Sequence, residues 1–267
     1  VNALVAVDLD RTMIFSEGAL GVPLDDWFEC VEMYEGKPLS YMSSRAVSLL
    51  RELSETTLVV PTTTRTIEQF QRIALPGAPW RYAITSNGGN ILVDGVPDSS
   101  WRNEFELDLA GIGAELRSRV SEDWVLKYRE ADGLFCYLVV NTAAVPEDFV
   151  AQWSQWCAAR DWNVSQQGRK IYTMPNAVCK SFAVAEVRTR LIQDGTLSSE
   201  ARVFAAGDGA LDAEMLIAAD SAVRPRHGEL ELLGFTHPGL TVTDSSGVRA
   251  SEEILEWLRN RTAVRRV

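Results

Sequence analysis

Ala6-Val7-Asp8-Leu9-Asp10-Arg11-Thr12 closes an apolar run that begins at Leu4 with two carboxylates spaced i, i+2. On an extended strand, side chains two apart leave the same face. Asp8 and Asp10 are therefore expected to project together from the carboxyl end of a buried strand, where open α/β sheets carry their chemistry. Adjacent carboxylates repel, and burying them unpaired is costly. A cation or a proton must accompany them. Taken alone, the heptapeptide equally describes a strand that ends in a polar turn.

Three later stretches separate these alternatives. Val59-Val60-Pro61-Thr62-Thr63-Thr64-Arg65 is a second apolar strand, ending in hydroxyls. Lys180 opens a helical pattern, and Ala205-Ala206-Gly207-Asp208-Gly209-Ala210-Leu211-Asp212 reads as a strand, a glycine turn and two more carboxylates. In order, these resemble the four motifs of the haloacid dehalogenase (HAD) superfamily: DxD, a strand-end Thr or Ser, a Lys, and GDxxxD. Each is common by itself. The four together, each at a strand end or helix start, span most of the chain.

With 267 residues there is chain enough for one large or two modest domains and a full core. The composition is that of a globular protein, 46% hydrophobic and 24% charged. A net charge of −11 argues against a general nucleic-acid or anionic-membrane binder. An anionic substrate must then be met by local positive charge or a metal. Cys30, Cys136, Cys157 and Cys179 show neither CxxC nor metal spacing, which fits buried thiols in a reducing cytoplasm without a disulfide. His227 and His237 alone offer little for a histidine metal site or a Ser-His-Asp triad. The opening residues read as a strand rather than a signal peptide, and no apolar run reaches the length of a membrane span. The expectation is a soluble, cytoplasmic protein, monomeric or homodimeric.

Along the chain, residues 11–38 show no clean periodicity. A long excursion after a catalytic strand is usually functional when ordered, and the HAD resemblance implies a flap there. Residues 43–54 carry a helical stripe of Ala46, Val47, Leu50 and Leu53, and Thr66-x-x-Gln69 reads as a capping box for a helix facing inward with Ile67, Phe70 and Ile73. This sets Thr63 between a strand end and a helix N-terminus, where amide N–H groups favour a phosphate. From 88 to 174 the pattern becomes helix-strand-strand-helix-strand-strand, with hairpin turns at Asp132-Gly133 and Gln167-Gly168. The expected architecture is α/β: a Rossmann-like three-layer core with a parallel sheet, 1–87 and 175–267, interrupted by a small α+β domain at 88–174. That insert resembles the α/β cap lying between the second and third motifs in one HAD subgroup. Ile84-Thr85-Ser86-Asn87-Gly88-Gly89 is similar to what precedes the cap in its sugar-phosphatase branch.

Clustered carboxylates without nearby His or Cys suit Mg²⁺ better than zinc. The resemblance implies that Asp8, Asp208 and the backbone carbonyl of Asp10 hold the ion, with Asp212 bound directly or through water. It further implies that Asp8 attacks phosphorus, Asp10 serves as acid and then base, and Thr63 and Lys180 hold the phosphoryl oxygens. Arg65, Asn87, Arg169, Lys170, Arg226 and His227 are expected to contact substrate. Three departures stand out: Arg11 and Thr64 where the family usually has Gly, and Leu211 where Asn is frequent. The second of these leaves open whether Thr62, Thr63 or Thr64 donates the hydroxyl.

The activity this implies is a magnesium-dependent phosphomonoesterase acting on a small phosphorylated metabolite such as a sugar phosphate. A phosphomutase of the phosphomannomutase type shares the motifs and the cap, and a catalytically silent HAD-fold binding protein is a further alternative. A response-regulator receiver is disfavoured by length and by the insert.

Overall fold

The computed structural model describes residues 2–263; Val1 and residues 264–267, at the outer ends of the two expected core segments, lie outside them. The chain runs through β1 (Ala3–Val7), β2 (Phe28–Tyr34), β3 (Lys37–Ser43), α1 (Ser44–Thr56), β4 (Leu58–Pro61), α2 (Ile67–Gln71), β5 (Tyr82–Thr85), β6 (Asn90–Val93), β7 (Val96–Pro97) and α3 (Ser99–Arg102). An α+β run follows: α4 (Leu109–Arg119), β8 (Val125–Ala131), β9 (Phe135–Val140), α5 (Phe149–Ala158), β10 (Trp162–Gln167) and β11 (Lys170–Pro175). The chain then closes with α6 (Lys180–Gln193), β12 (Arg202–Ala206), α7 (Ala213–Ala218), β13 (Ser221–Arg224), α8 (Glu229–Leu232), β14 (Leu240–Val242) and α9 (Val248–Thr262).

The central sheet is parallel, in the order β14-β13-β12-β1-β4. Every β1 residue is buried, because helices cover both faces. Ala3, Val5 and Val7 pack with the inner stripes of α1 and α9, whereas Leu4 and Ala6 pack with Ala183, Val184 and Val187 of α6. This is the expected three-layer core, and it explains why β1 reads as an unbroken apolar run. α1 carries its predicted stripe and is capped by the Ser43 hydroxyl, which accepts from Ala46 N at 3.1 Å. The Thr66–Gln69 capping box also forms, on a helix that ends at Gln71, so Ile73 lies beyond it.

Residues 11–38 differ from the patternless excursion expected, since most of their second half belongs to an antiparallel hairpin, β2–β3. Register shifts at Cys30, Glu32 and Met33 break the two-residue alternation that would have announced a strand. The turn is Glu35-Gly36, with φ of 49° and 75°, a primed-type turn without the usual Asn or Asp signal. The four cysteines are free; three are buried as expected, but Cys30 is exposed on this hairpin.

The inserted sheet has the order β10-β11-β9-β8 and is antiparallel throughout. One face packs on α4 and α5 through Cys136, Leu138, Val140, Ile171 and Trp153, and the Trp153 indole donates to Thr173 Oγ1 at 2.8 Å. The Asp132-Gly133 turn has positive φ at both residues, as its sequence predicts. The Asp132 carboxylate reaches the core, accepting from Ile67 N at 3.0 Å, Asn90 Nδ2 at 3.1 Å and the Ser86 hydroxyl. Ile91, Val93 and Trp101 pack with the central sheet, whereas Phe105 and Leu107 pack with the insert. Packing therefore changes over between Trp101 and Phe105.

Because Leu4 is fully buried beneath α6, Leu4→Ala should cost about 2–5 kcal/mol through lost transfer energy and a residual cavity. Leu126→Ala, at a residue 51% exposed, should stay within about 0.5 kcal/mol. Urea midpoints of the two variants test the contrast.

Candidate functional site

Asp8 leaves the end of β1, its N–H donating to Ala206 O of β12 at 2.9 Å. The loop after β12 brings Asp208 and Asp212 alongside, and carboxylate oxygens of the three residues lie within 4.8 Å of one another. Lys180, the first residue of α6, points back into this cluster and is 1% exposed. Its Nζ donates to Asp8 Oδ1 at 2.7 Å and to Asp212 Oδ1 at 2.6 Å. Thr12 Oγ1 donates to Asp8 Oδ2 at 3.1 Å. Two glycines make the crowding possible: at Gly228, φ is +86° and a Cβ would stand 2.4 Å from Asp208 Oδ2, and at Gly207 a Cβ would stand 2.4 Å from Asp212 Cγ.

Three buried carboxylates face one buried ammonium. Burial, followed by repulsion from Asp212, raises the Asp8 carboxyl from 3.8 to about 7, against the pull of Lys180. Burial and repulsion from Asp8 and Asp212 raise Asp208 to about 9. Burial disfavours the Lys180 ammonium, but Asp212 and Asp8 more than reverse this and raise its pKa. An all-oxygen donor set with surplus negative charge fits a hard divalent cation of the magnesium type.

Of the three threonines, Thr62 donates to its own strand at Val60 O, 3.0 Å away. The Thr63 hydroxyl is buried and accepts from Arg65 N at 3.1 Å, which leaves its proton to donate. Thr64 lines a cavity of about 210 Å³ between core and insert, together with Asp10, Arg65, Arg72, Tyr137, Lys170 and Tyr172. Lys170 stands over the rings of Tyr137 and Tyr172, 5.5 and 6.0 Å from their centroids, and has no ion-pair partner among the described residues. Asn87 lines a second cavity, of about 590 Å³, together with Asn163, Ser165, Cys179, Leu211 and Glu214. Its Nδ2 donates to Val178 O at 3.0 Å, and its Oδ1 is buried without a hydrogen-bond partner among the described residues.

The comparisons with known proteins agree on architecture. No family profile matches the sequence, and no curated protein matches it. Solved structures do match over nearly the whole chain. The sucrose-phosphatase of Synechocystis superimposes with a TM-score of 0.67 at 14% identity, over 96% of this chain and 98% of that one. A trehalose-6-phosphate phosphatase related protein gives 0.56 at 17% identity, over 97% of each chain. A haloacid dehalogenase-like hydrolase from Bacteroides thetaiotaomicron gives 0.55 at 15%, over 95% and 100%. The chain has the fold of these HAD-like proteins.

Within that HAD-like fold the departures noted in the sequence acquire physical content. Arg11 adopts φ 62°, the left-handed conformation that glycine tolerates best, and its Nε lies 3.8 Å from Asp208 Oδ2. Leu211 packs against the apolar cluster of the insert.

Several residues expected at the substrate are engaged elsewhere. Arg65 grips Asp10 through Nε and Nη2, each at 2.7 Å, and Glu32 through Nη1 at 2.7 Å. Arg226 turns away, its N–H and Nε donating to Thr243 Oγ1 and Thr243 O at 3.0 and 3.1 Å. Both ring nitrogens of His227 are occupied: Gly247 N donates to Nδ1 at 2.9 Å, so Nε2–H donates to Arg11 O at 2.7 Å. Burial lowers its pKa and favours this neutral form. Arg169 is exposed at the β10–β11 turn. Residues missed by sequence reading are Glu32, Thr12, Tyr137 and Tyr172. Thr12 follows the DxD stretch closely enough to have been found; the others carry no local signal.

Because both cluster carboxyls are raised, the folded chain holds protons that the unfolded chain has lost between about pH 4 and pH 9. Stability of the metal-free protein should therefore fall as pH rises through that window. Its thermal midpoint in chelator is expected to be lower at about pH 9 than at about pH 6, and magnesium should remove much of the difference. A flat profile would mean that the folded cluster takes up no extra proton.

Proposed function

We propose that this chain is a magnesium-dependent phosphomonoesterase working through an aspartyl-phosphate on Asp8. The observation that carries the reading is the buried Asp8–Lys180–Asp212 network with Asp208 beside it. A magnesium ion held by Asp8, Asp208, Asp212 and the Asp10 carbonyl would screen the nucleophile from its anionic substrate and stabilise charge on the phosphoryl oxygens. The chain's own residues supply the rest. Lys180 and Thr12 orient the Asp8 carboxylate, one oxygen each, for attack on phosphorus. The Thr63 hydroxyl and Lys180 donate to the phosphoryl oxygens. Asp10 delivers a proton to the leaving oxygen as the P–O bond breaks, then takes one from the water that cleaves the phosphoenzyme.

The insert, 88–174, is read as a cap, although Ile91, Val93 and Trp101 within that range pack with the central sheet. Its open face gives the leaving group an aromatic and cationic lining of Tyr137, Tyr172 and Lys170 beside Asp10. Ring faces suit the C–H surface of a sugar, and a free ammonium suits a polar or anionic substituent. A small phosphorylated metabolite, most simply a sugar phosphate, fits this lining. Similarity to sucrose- and trehalose-6-phosphate phosphatases supports the same class.

Asp8→Asn should reduce turnover of any phosphomonoester by ~10³-fold or more, since nucleophile and metal ligand are lost together. It should do so without lowering the thermal midpoint, because one of three crowded charges is removed. Retention of a substantial rate, free of deamidation, would exclude the covalent route. Chelation should stop the reaction, and Mg²⁺ should restore it better than Ca²⁺, whose looser coordination misdirects the nucleophile. Equal rates with the two ions would count against the assigned site.

A further inference from the structure

Glu32 sits on β2, away from the acidic cluster, yet its side chain has no solvent exposure. Ser40 Oγ, across the hairpin on β3, donates to its Oε2 at 2.6 Å. Arg65 Nη1 donates to its Oε1 at 2.7 Å, and Arg72 Nη2 stands 3.5 Å from the same oxygen. The backbone is equally constrained. Glu32 bridges to Ile73, just past α2, and Ala74 N donates to Val31 O at 2.7 Å. A buried carboxylate is tolerated only when paired and hydrogen-bonded, and here both oxygens are satisfied.

Arg65 links this anchor to the candidate acid. Its planar fork takes both oxygens of Asp10 through Nε and Nη2, which leaves Nη1 for Glu32. Asp10 itself has a side chain 48% exposed and makes no other side-chain hydrogen bond among the described residues. Its orientation thus depends on Arg65, and Arg65 is in turn held by a buried glutamate that Ser40 ties across the hairpin.

We infer that Glu32 is a positioning residue: fixed in the β2–β3 hairpin, it anchors Arg65 so that Asp10 stays aimed at the leaving oxygen. The inference rests on Asp10 being the proton donor, as proposed above. It gives the excursion after β1 a definite task, orienting the acid from behind rather than touching the substrate.

The test compares kcat/KM on glycerol phosphate and on para-nitrophenyl phosphate. In both, a bond forms between Asp8 and phosphorus as the bond to the leaving oxygen breaks. Only the alkoxide of glycerol needs the proton of Asp10, since nitrophenolate departs as the anion. Glu32→Ala should lower kcat/KM on glycerol phosphate by about tenfold or more, and on the aryl ester by less than about threefold. Glu32→Gln, which keeps an acceptor oxygen for Arg65, should recover part of the loss. Ser40→Ala, which frees only Oε2, should give a smaller loss in the same direction, and these two variants carry the test if Glu32→Ala fails to fold. Asp10→Asn is measured in parallel. If it lacks the leaving-group dependence, the assignment of the acid itself fails. If it shows that dependence while the Glu32 and Ser40 variants lose equally on both esters, or on neither, the inference about Glu32 is overturned.

Discussion

Everything at the centre of this molecule depends on one buried ammonium. Lys180 holds Asp8 and Asp212 at 2.7 and 2.6 Å, and without it three buried carboxylates would have only the exposed Arg11, near Asp208, as counter-charge among the described residues. The lysine reaches the cluster because α6 begins beside the carboxyl edge of the sheet. Its first residue therefore faces the ends of β1 and β12. Lys180, with the exposed Arg11 beside Asp208, still leaves the site short of positive charge, and burial and mutual repulsion hold Asp8 and Asp208 far above ordinary carboxyl values. A site so arranged is stable with protons or with a divalent cation, and only the second state keeps all its carboxylates ionised.

The two apolar clusters divide the remaining tasks. The central sheet, buried on both faces, fixes the four strand-end and helix-start positions to one edge. The inserted sheet packs one face on α4 and α5, and its other face brings Tyr137, Tyr172 and Lys170 to the cavity that Asp10 also lines. Asp132 ties the tip of β8–β9 to Ile67, Ser86 and Asn90 of the core, so the cavity beside Asp10 is bounded by contacts from both units. A rigid sheet edge that carries the clustered polar residues, faced by a separate inserted sheet, is a division found where insertions adapt a common scaffold.

Arginine serves as internal scaffolding in this acidic chain more than as an anion receptor. Arg65 joins Asp10 to Glu32, Arg11 leans on Asp208, and Arg226 holds Thr243. Lys170 differs from them in having aromatic rings, and no carboxylate partner among the described residues, at the mouth of the cavity.

How much of this was legible in the sequence follows from the range of each interaction. The strands β1, β4 and β12, the stripes of α1 and α6, the Thr66–Gln69 box and the Asp132-Gly133 turn are all set by residues within one or two turns of each other. Periodicity, capping and turn chemistry report such local preferences directly. The carboxylates of the cluster were readable for the same reason, because each ends an apolar strand or opens a helix. The β2–β3 hairpin was hidden by its bulge, which breaks the alternation, and by a Glu-Gly turn with no strong signature. Arg226 and His227 read as substrate groups from their place after β13, yet their partners Thr243, Gly247 and Arg11 come from other parts of the chain. Glu32 and Arg65 are 33 residues apart. Nothing in the local chemistry of either predicts that one will be sealed from water against the other, because burial and ion pairing are settled by which elements pack together, and that is decided only when the whole chain folds.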